Sequence, residues 1–196
     1  MRKLSLCMMT SLDGLTAREN RDLEWFLADP EFEADMISLL GSVDGMLFGR
    51  VAYEELKQFW PTAGTADPGQ APGGFTSDAN RIEFARLMNS VPKLVISRTL
   101  EQLEWGPGRV LRGDLAKEIT ALKREQGRDL VFFAGASSAA ELIALDAFDE
   151  YRLLVHPIVL GRGLSLFANA PERPLELRDA RRYPCGVVKL DYRRKR

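Results

Sequence analysis

The chain has 196 residues, 45% of them hydrophobic, enough for one domain with a sizeable core and too few for two comfortable ones. With 27 Lys+Arg against 28 Asp+Glu the formal net charge is -1, so no global field draws the chain to nucleic acid or an anionic membrane, and any anion must be held locally. Cys7 and Cys185 form neither a metal knuckle nor a disulfide framework, and no stretch approaches the roughly 20 apolar residues of a membrane helix, so a cytoplasmic protein with free thiols is expected.

Lys3 to Thr10 reads as a buried strand that reaches the turn pair Asp13-Gly14 before a signal-peptide core could be completed. Asp29-Pro30 supplies a cap and first residue for a helix running to about Leu40. Gly45 to Phe48 is a short apolar strand, followed by a helix from about Val51 to Phe59 and then by Pro61 to Gly74, a long surface loop poor in core-forming residues that could cover a pocket. A helix from Asp78 to Asn89 leads through Pro92 to the strand Lys93 to Ser97. Asp114 caps a helix that repeats Leu115, Ile119 and Leu122 and stops at Gly127. Strand Leu130 to Ala134, helix Ser137 to Leu145 and strand Tyr151 to His156 follow, with final strands around Leu175 to Leu177 and Val187 to Tyr192. The alternation predicts a single α/β domain over residues 1–196, with a mostly parallel sheet, helices on both faces and antiparallel C-terminal edge strands.

Three segments stand where a strand hands over to a helix, the place at which open α/β sheets bind ligands. Gly135-Ala136-Ser137-Ser138 would turn backbone N-H groups and a helix dipole toward a pyrophosphate; the alternative, the commoner arrangement for such a segment by itself, is a tight turn with a Ser137 cap. The G-x-G-x-x-G fingerprint is absent. Arg98, flanked by Ser97 and Thr99, can fork a phosphate monoester, which favours NADPH over NADH; the alternative is a solvated charge. Arg50 after Gly49 opposes the dipole of its own helix, a placement that an anion would relieve; the alternative is a half-exposed arginine bonding to backbone carbonyls.

These residues carry a resemblance. Ser11-Leu12-Asp13-Gly14, Phe48-Gly49-Arg50 with Tyr53-Glu54, Ser97-Arg98-Thr99, Phe133-Ala134-Gly135-Ala136 and His156-Pro157-Ile158-Val159-Leu160-Gly161 resemble, in this order, the dihydrofolate reductase-like superfamily. The branch is the one related to the reductase domain of the bifunctional riboflavin-biosynthesis deaminase-reductase. The resemblance implies an NADPH-dependent reductase of a small planar heterocycle, of pterin, folate or ribitylaminopyrimidine type, in a homodimer. It implies adenosine-phosphate contacts at Gly49, Arg50, Ser97, Arg98 and Thr99, and pyrophosphate contacts at Gly135, Ala136, Ser137 and Ser138. The nicotinamide is then expected beside Met9, Thr10 and Ser11.

Similarity to folate reductases also implies an acid on the helix before Gly49-Arg50, and gapless counting lands on Glu33, with Asp35 as second choice. The acidic run Glu31, Glu33, Asp35 could instead simply favour a helix start and face water. Asp13 and Trp25 are candidate substrate contacts, as a carboxylate after the first strand and a stacking surface, with turn formation and core packing as the alternatives; Trp60 is a further stacking candidate. His156 reads as structural and Arg193 to Arg196 as a solvated tail. A competing reading is a non-catalytic nucleotide-binding or sensor module that keeps the crevice without a proton donor.

Overall fold

A computed structural model describes residues 1–65 and 75–195. Its eight-stranded sheet has the order β4-β3-β2-β5-β1-β6-β8-β7. The six strands from β4 to β6 are parallel: β1 (Leu4–Thr10), β2 (Gly45–Gly49), β3 (Lys93–Ile96), β4 (Gly108–Leu111), β5 (Leu130–Ala134) and β6 (Glu150–Val155). β8 (Val188–Arg194) runs antiparallel to β6, and β7 (Leu175–Arg182) antiparallel to β8. The chain thus has the dihydrofolate reductase-like α/β architecture, with its antiparallel strands at the C-terminal edge.

Side chains alternate across this sheet with period two, and each face nucleates its own core. Leu4, Leu6 and Met8 of β1 join Leu47, Phe132, Ile119 and Leu142 on one face. Cys7, Met46, Phe48 and Val131 join Phe32, Met36, Tyr53 and Phe84 on the other. Helices α4 (Leu115–Arg124) and α5 (Ala136–Ala144) supply the first cluster; α1 (Pro30–Ser42), α2 (Arg50–Lys57) and α3 (Asp78–Ser90) supply the second. α1 begins as its sequence dictates: the Asp29 side chain accepts from the Phe32 amide at 2.9 Å, and Pro30 occupies the first turn, where its missing N-H costs nothing. None of the described helices is long and apolar enough to cross a membrane.

Three differences from the expected elements have physical causes. β4 went unread because only Leu111 of its four residues is buried, which leaves no period-two signal on an edge strand. Arg193 and Arg194 are strand residues of β8 rather than a solvated tail, paired with Glu176 and Asp146 respectively, while Arg196 lies outside the described residues. The helix after β2 ends at Lys57 and continues as turns to Thr65; the rest of the expected Pro61 to Gly74 loop, residues 66–74, lies outside the described residues, as does any cover it provides.

His156 is structural. It is fully buried just past β6, stacks on Phe26 at 5.2 Å, meets Trp25 edge-on, and accepts the Leu27 amide on Nδ1 at 3.1 Å. Burial pushes the imidazole down to about 4, so the folded protein holds it neutral. The unfolded chain takes up a proton near pH 6.5, so the stability contributed by neutral His156 is complete above that pH and is lost as pH falls toward 4. Between pH 7 and pH 5 this linkage should cost roughly 1–2 kcal/mol. Urea melts at the two pH values should show that loss in the parent and a flatter dependence in His156→Gln, whose amide oxygen can still accept the Leu27 amide.

Candidate functional site

Gly49 closes β2, Ser97 follows β3, Arg112 follows β4 and Gly135 follows β5, and these four neighbouring tips open on one cavity of about 810 Å³. That volume lies toward the upper end of the range of about 300–1,000 Å³ usual for small-molecule sites. Two glycines make the convergence possible. A Cβ on Gly49 would stand 2.6 Å from Ser138 Oγ, and one on Gly135 would stand 3.0 Å from the Gly49 nitrogen. Gly135 also has φ of 114°, a left-handed conformation open to glycine and strained for other residues.

Gly135 caps α5 without a side-chain bond, leaving the first-turn amides of Ala136, Ser137 and Ser138 without intrahelical acceptors at the positive end of the helix. Gly49 does the same for α2. Arg50 reaches its own helix's Glu54 at 2.8 Å, which offsets part of its conflict with the dipole. Ser97 Oγ accepts the amides of Thr99 at 3.2 Å and Leu100 at 2.9 Å, a turn that fixes the backbone carrying Arg98. Arg98 itself is exposed on the cavity wall.

Arg112 was missed by the sequence reading together with its strand. Its guanidinium donates to the Leu100 and Glu101 carbonyls, so it stands against the Arg98 turn with its orientation set. The signal that could have found it is the pair Val110-Leu111 ahead of the Asp114 helix cap, a short strand feeding a helix. Asp114 and Glu141 add carboxylates to the same wall, the former spent on capping Lys117.

Of the residues singled out from sequence, Gly49, Arg50, Ser97, Arg98, Thr99, Gly135, Ala136, Ser137, Ser138 and Glu33 line this cavity, and Trp60 does too. Four do not. Thr10 and Ser11 are buried, and Ser11 Oγ accepts the Leu15 amide at 3.0 Å; Met8 and Met9 line the cavity from β1. Asp13 accepts the amides of Leu160 at 3.1 Å and Gly161 at 2.8 Å and so braces the Ser11 turn against the strand-six loop. The Ser11 hydroxyl and those two amides hold its carboxyl down at about 2. Trp25 is buried against Phe26 and His156, where packing takes its whole ring.

The acidic run of α1 does not simply face water. Glu31 pairs with Arg181 at 2.7 Å. Asp35 lies off the cavity, bonded to the Tyr183 hydroxyl and to Lys189 at 3.1 Å. Burial works to raise the Asp35 carboxyl, but these two donors outweigh it and hold it below its ordinary value. Glu33 is 2% exposed and borders the cavity. Its Oε1 accepts the Thr76 amide at 2.5 Å and the Thr76 hydroxyl at 2.8 Å, and its Oε2 accepts Asn80 Nδ2 at 2.9 Å. A carboxylate offers about four acceptor positions, so three are used and one remains.

The RibD C-terminal domain family model matches residues 2–189. The uncharacterized protein YyaP of Bacillus subtilis (strain 168) is 29% identical over 192 residues, which are 97% of this chain and 94% of that protein. A diaminohydroxyphosphoribosylaminopyrimidine deaminase/5-amino-6-(5-phosphoribosylamino)uracil reductase from Thermotoga maritima superposes with a TM-score of 0.65 at 14% identity, covering 99% of this chain and 57% of that longer one. Dihydrofolate reductase from Enterococcus faecalis, in complex with NADP(H), superposes with a TM-score of 0.61 at 13% identity, covering 99% of this chain and 97% of its own. At these identities the superpositions establish a shared reductase-type fold.

Gly135→Ala tests the tip geometry. The methyl meets the Gly49 backbone and the left-handed φ together, and the expected loss of stability is about 1–3 kcal/mol by urea unfolding. A variant as stable as the parent would show that the β2 and β5 tips are not pressed together.

Proposed function

Because the chain belongs to the RibD C-terminal domain family, we propose that it is an NADPH-dependent reductase acting on a small planar heterocycle, of pterin, folate or ribitylated pyrimidine type. The observation that carries this reading is the convergence of Arg50, Arg98, Arg112 and the starts of α2 and α5 on one cavity whose remaining lining is largely aromatic and aliphatic, with the buried Glu33 set in it. Anionic and aromatic parts of a ligand thereby meet different groups. The residues fit a dinucleotide phosphate: side chains at positions 49 and 135 would fill the cradle between the two helix starts, and the donors around it are amides and guanidiniums. NADPH bound there supplies the hydride for a carbon–nitrogen or carbon–oxygen double bond.

The chain's own residues then have separable tasks. The first-turn amides of α5 take the pyrophosphate, and Arg98, with Arg112 oriented behind it, takes the 2′-phosphate. Phe32, Phe84 and Phe133 form an apolar wall that keeps water from the reacting ring. Glu33 is the buried acid bordering that wall, and its one remaining acceptor position is left for a ring N-H or for the proton the reduction requires.

A charge-assisted bond contributes about 1.5–3 kcal/mol, so Arg98→Ala should weaken NADPH binding at least about tenfold and leave NADH binding almost unchanged. Titration with each cofactor by fluorescence reads the difference, and equal losses would remove the 2′-phosphate role. One observation favours the competing reading of a nucleotide-binding module: Glu33 already serves three donors from the Thr76 to Asn80 segment. Glu33→Gln separates the two readings. Turnover should fall by about 10²–10⁴ if Glu33 handles the proton, whereas unchanged turnover, or none in the parent across a substrate panel, supports the module.

A further inference from the structure

The distribution of charge inside the cavity says more about the substrate than the fold does. Beyond the amides and guanidiniums of the strand tips, the wall is largely aromatic, running from α3 and the turns after α2 to Phe133 of β5. Trp60 meets Phe84 at 5.0 Å, Phe75 meets Phe84 at 5.3 Å, and Phe84 meets Phe133 at 6.2 Å between ring centroids. Phe26 and Phe32 close it from the β1–α1 connection and α1. The charged group set among these rings is the Glu33 carboxylate, which is buried and negative.

Among the described residues, the cations that border the cavity are Arg21, Arg50, Arg98 and Arg112. The last three belong to the strand tips. Arg21 stands at the rim, with Glu55 at 3.8 Å and both side chains 58% exposed. Residues 66–74, Ala-Asp-Pro-Gly-Gln-Ala-Pro-Gly-Gly, lie outside the described residues and contain neither Lys nor Arg.

From this we infer that the substrate half of the cavity takes a planar aromatic ring without a phosphate group, held by the aromatic wall and by an N-H directed at Glu33. The inference rests on the reductase reading above and narrows it, because it sets the substrate apart from phosphoribosylated pyrimidines. A phosphate carried by the substrate brings nearly two negative charges. In this half it would lose its hydration against phenylalanine rings and face a like-charged carboxylate with no buried cation to offset either cost. A neutral ring meets neither penalty: its faces stack on Trp60 and Phe84, and a ring N-H meets the acceptor position that Thr76 and Asn80 leave on Glu33.

The test uses a matched pair of fluorescent bicyclic ligands, 6,7-dimethyl-8-ribityllumazine and its 5′-phosphate, titrated into the full chain saturated with NADPH. NADPH is titrated first by its own fluorescence; failure there sinks the reductase reading, whereas the ligand pair decides the inference alone. The expected result is that the neutral ligand binds and the phosphorylated one binds at least about tenfold more weakly, the cost of a like-charge approach. Arg21→Ala should leave binding of the neutral ligand unchanged. The inference is overturned if the phosphorylated ligand binds as tightly as the neutral one or more tightly, if the neutral ligand fails to bind, or if Arg21→Ala selectively weakens the phosphorylated ligand and so reveals a phosphate clamp at the rim.

Discussion

The close approach of two backbones, Gly49 at the tip of β2 and Gly135 at the tip of β5, is the constraint on which the site depends. β2 and β5 are parallel neighbours whose register shifts between Leu47 and Phe48, one residue before the tip, and such an irregularity bends a strand locally. The bend and the missing side chains let the starts of α2 and α5 meet where a methyl group would separate them. Two helix dipoles are thus directed at one volume, and β3 and β4 add Arg98 and Arg112 beside them. This local concentration of amide and guanidinium donors arises from the order of strands in the sheet, while the chain as a whole carries a net charge of -1.

The opposite wall depends on α1, which is anchored on three sides by its own acidic residues. Glu31 holds Arg181 of β7, Asp35 holds Lys189 of β8 with Tyr183, and Glu33 holds the segment that starts α3. Lys189 is also near Asp179 and Asp191, and Asp191 binds Arg152 through two hydrogen bonds, so the attachment is a network rather than one exposed pair. Exposed pairs contribute little, but Lys189 is 6% exposed, and removing one partner from such a cluster leaves a charge poorly solvated. The late antiparallel strands thereby act on the cavity from a distance, by fixing the helix that presents Phe32, Glu33 and Met36 to it.

Burial is handled differently at two other polar groups. Lys93 is fully buried with its ammonium on the Val91 carbonyl and over the Trp105 ring, and burial pushes its pKa down to about 8. Cys7 borders the cavity beneath α1, and burial pushes its thiol up to about 12, so it behaves there as a small apolar side chain. Both are adjustments within the core.

Local sequence determined the periodic parts. The alternation of apolar strands with capped helices specified a parallel sheet covered on both faces, and the Gly, Arg and hydroxyl residues at three handovers are informative because any α/β sheet directs such positions to the same edge. What the tertiary structure alone decided concerns groups whose partners lie far away in the chain. Asp13 is taken by amides 147 and 148 residues away, Trp25 by the ring of His156, and Glu33 by donors 43 and 47 residues on. Arg112 joined the site through an edge strand that buries one side chain. Periodicity reports which face of an element is apolar, because that is a property of neighbouring residues; the partner of a polar side chain is fixed only when distant segments pack, and that packing separated Glu33 at the cavity from Asp35 behind it.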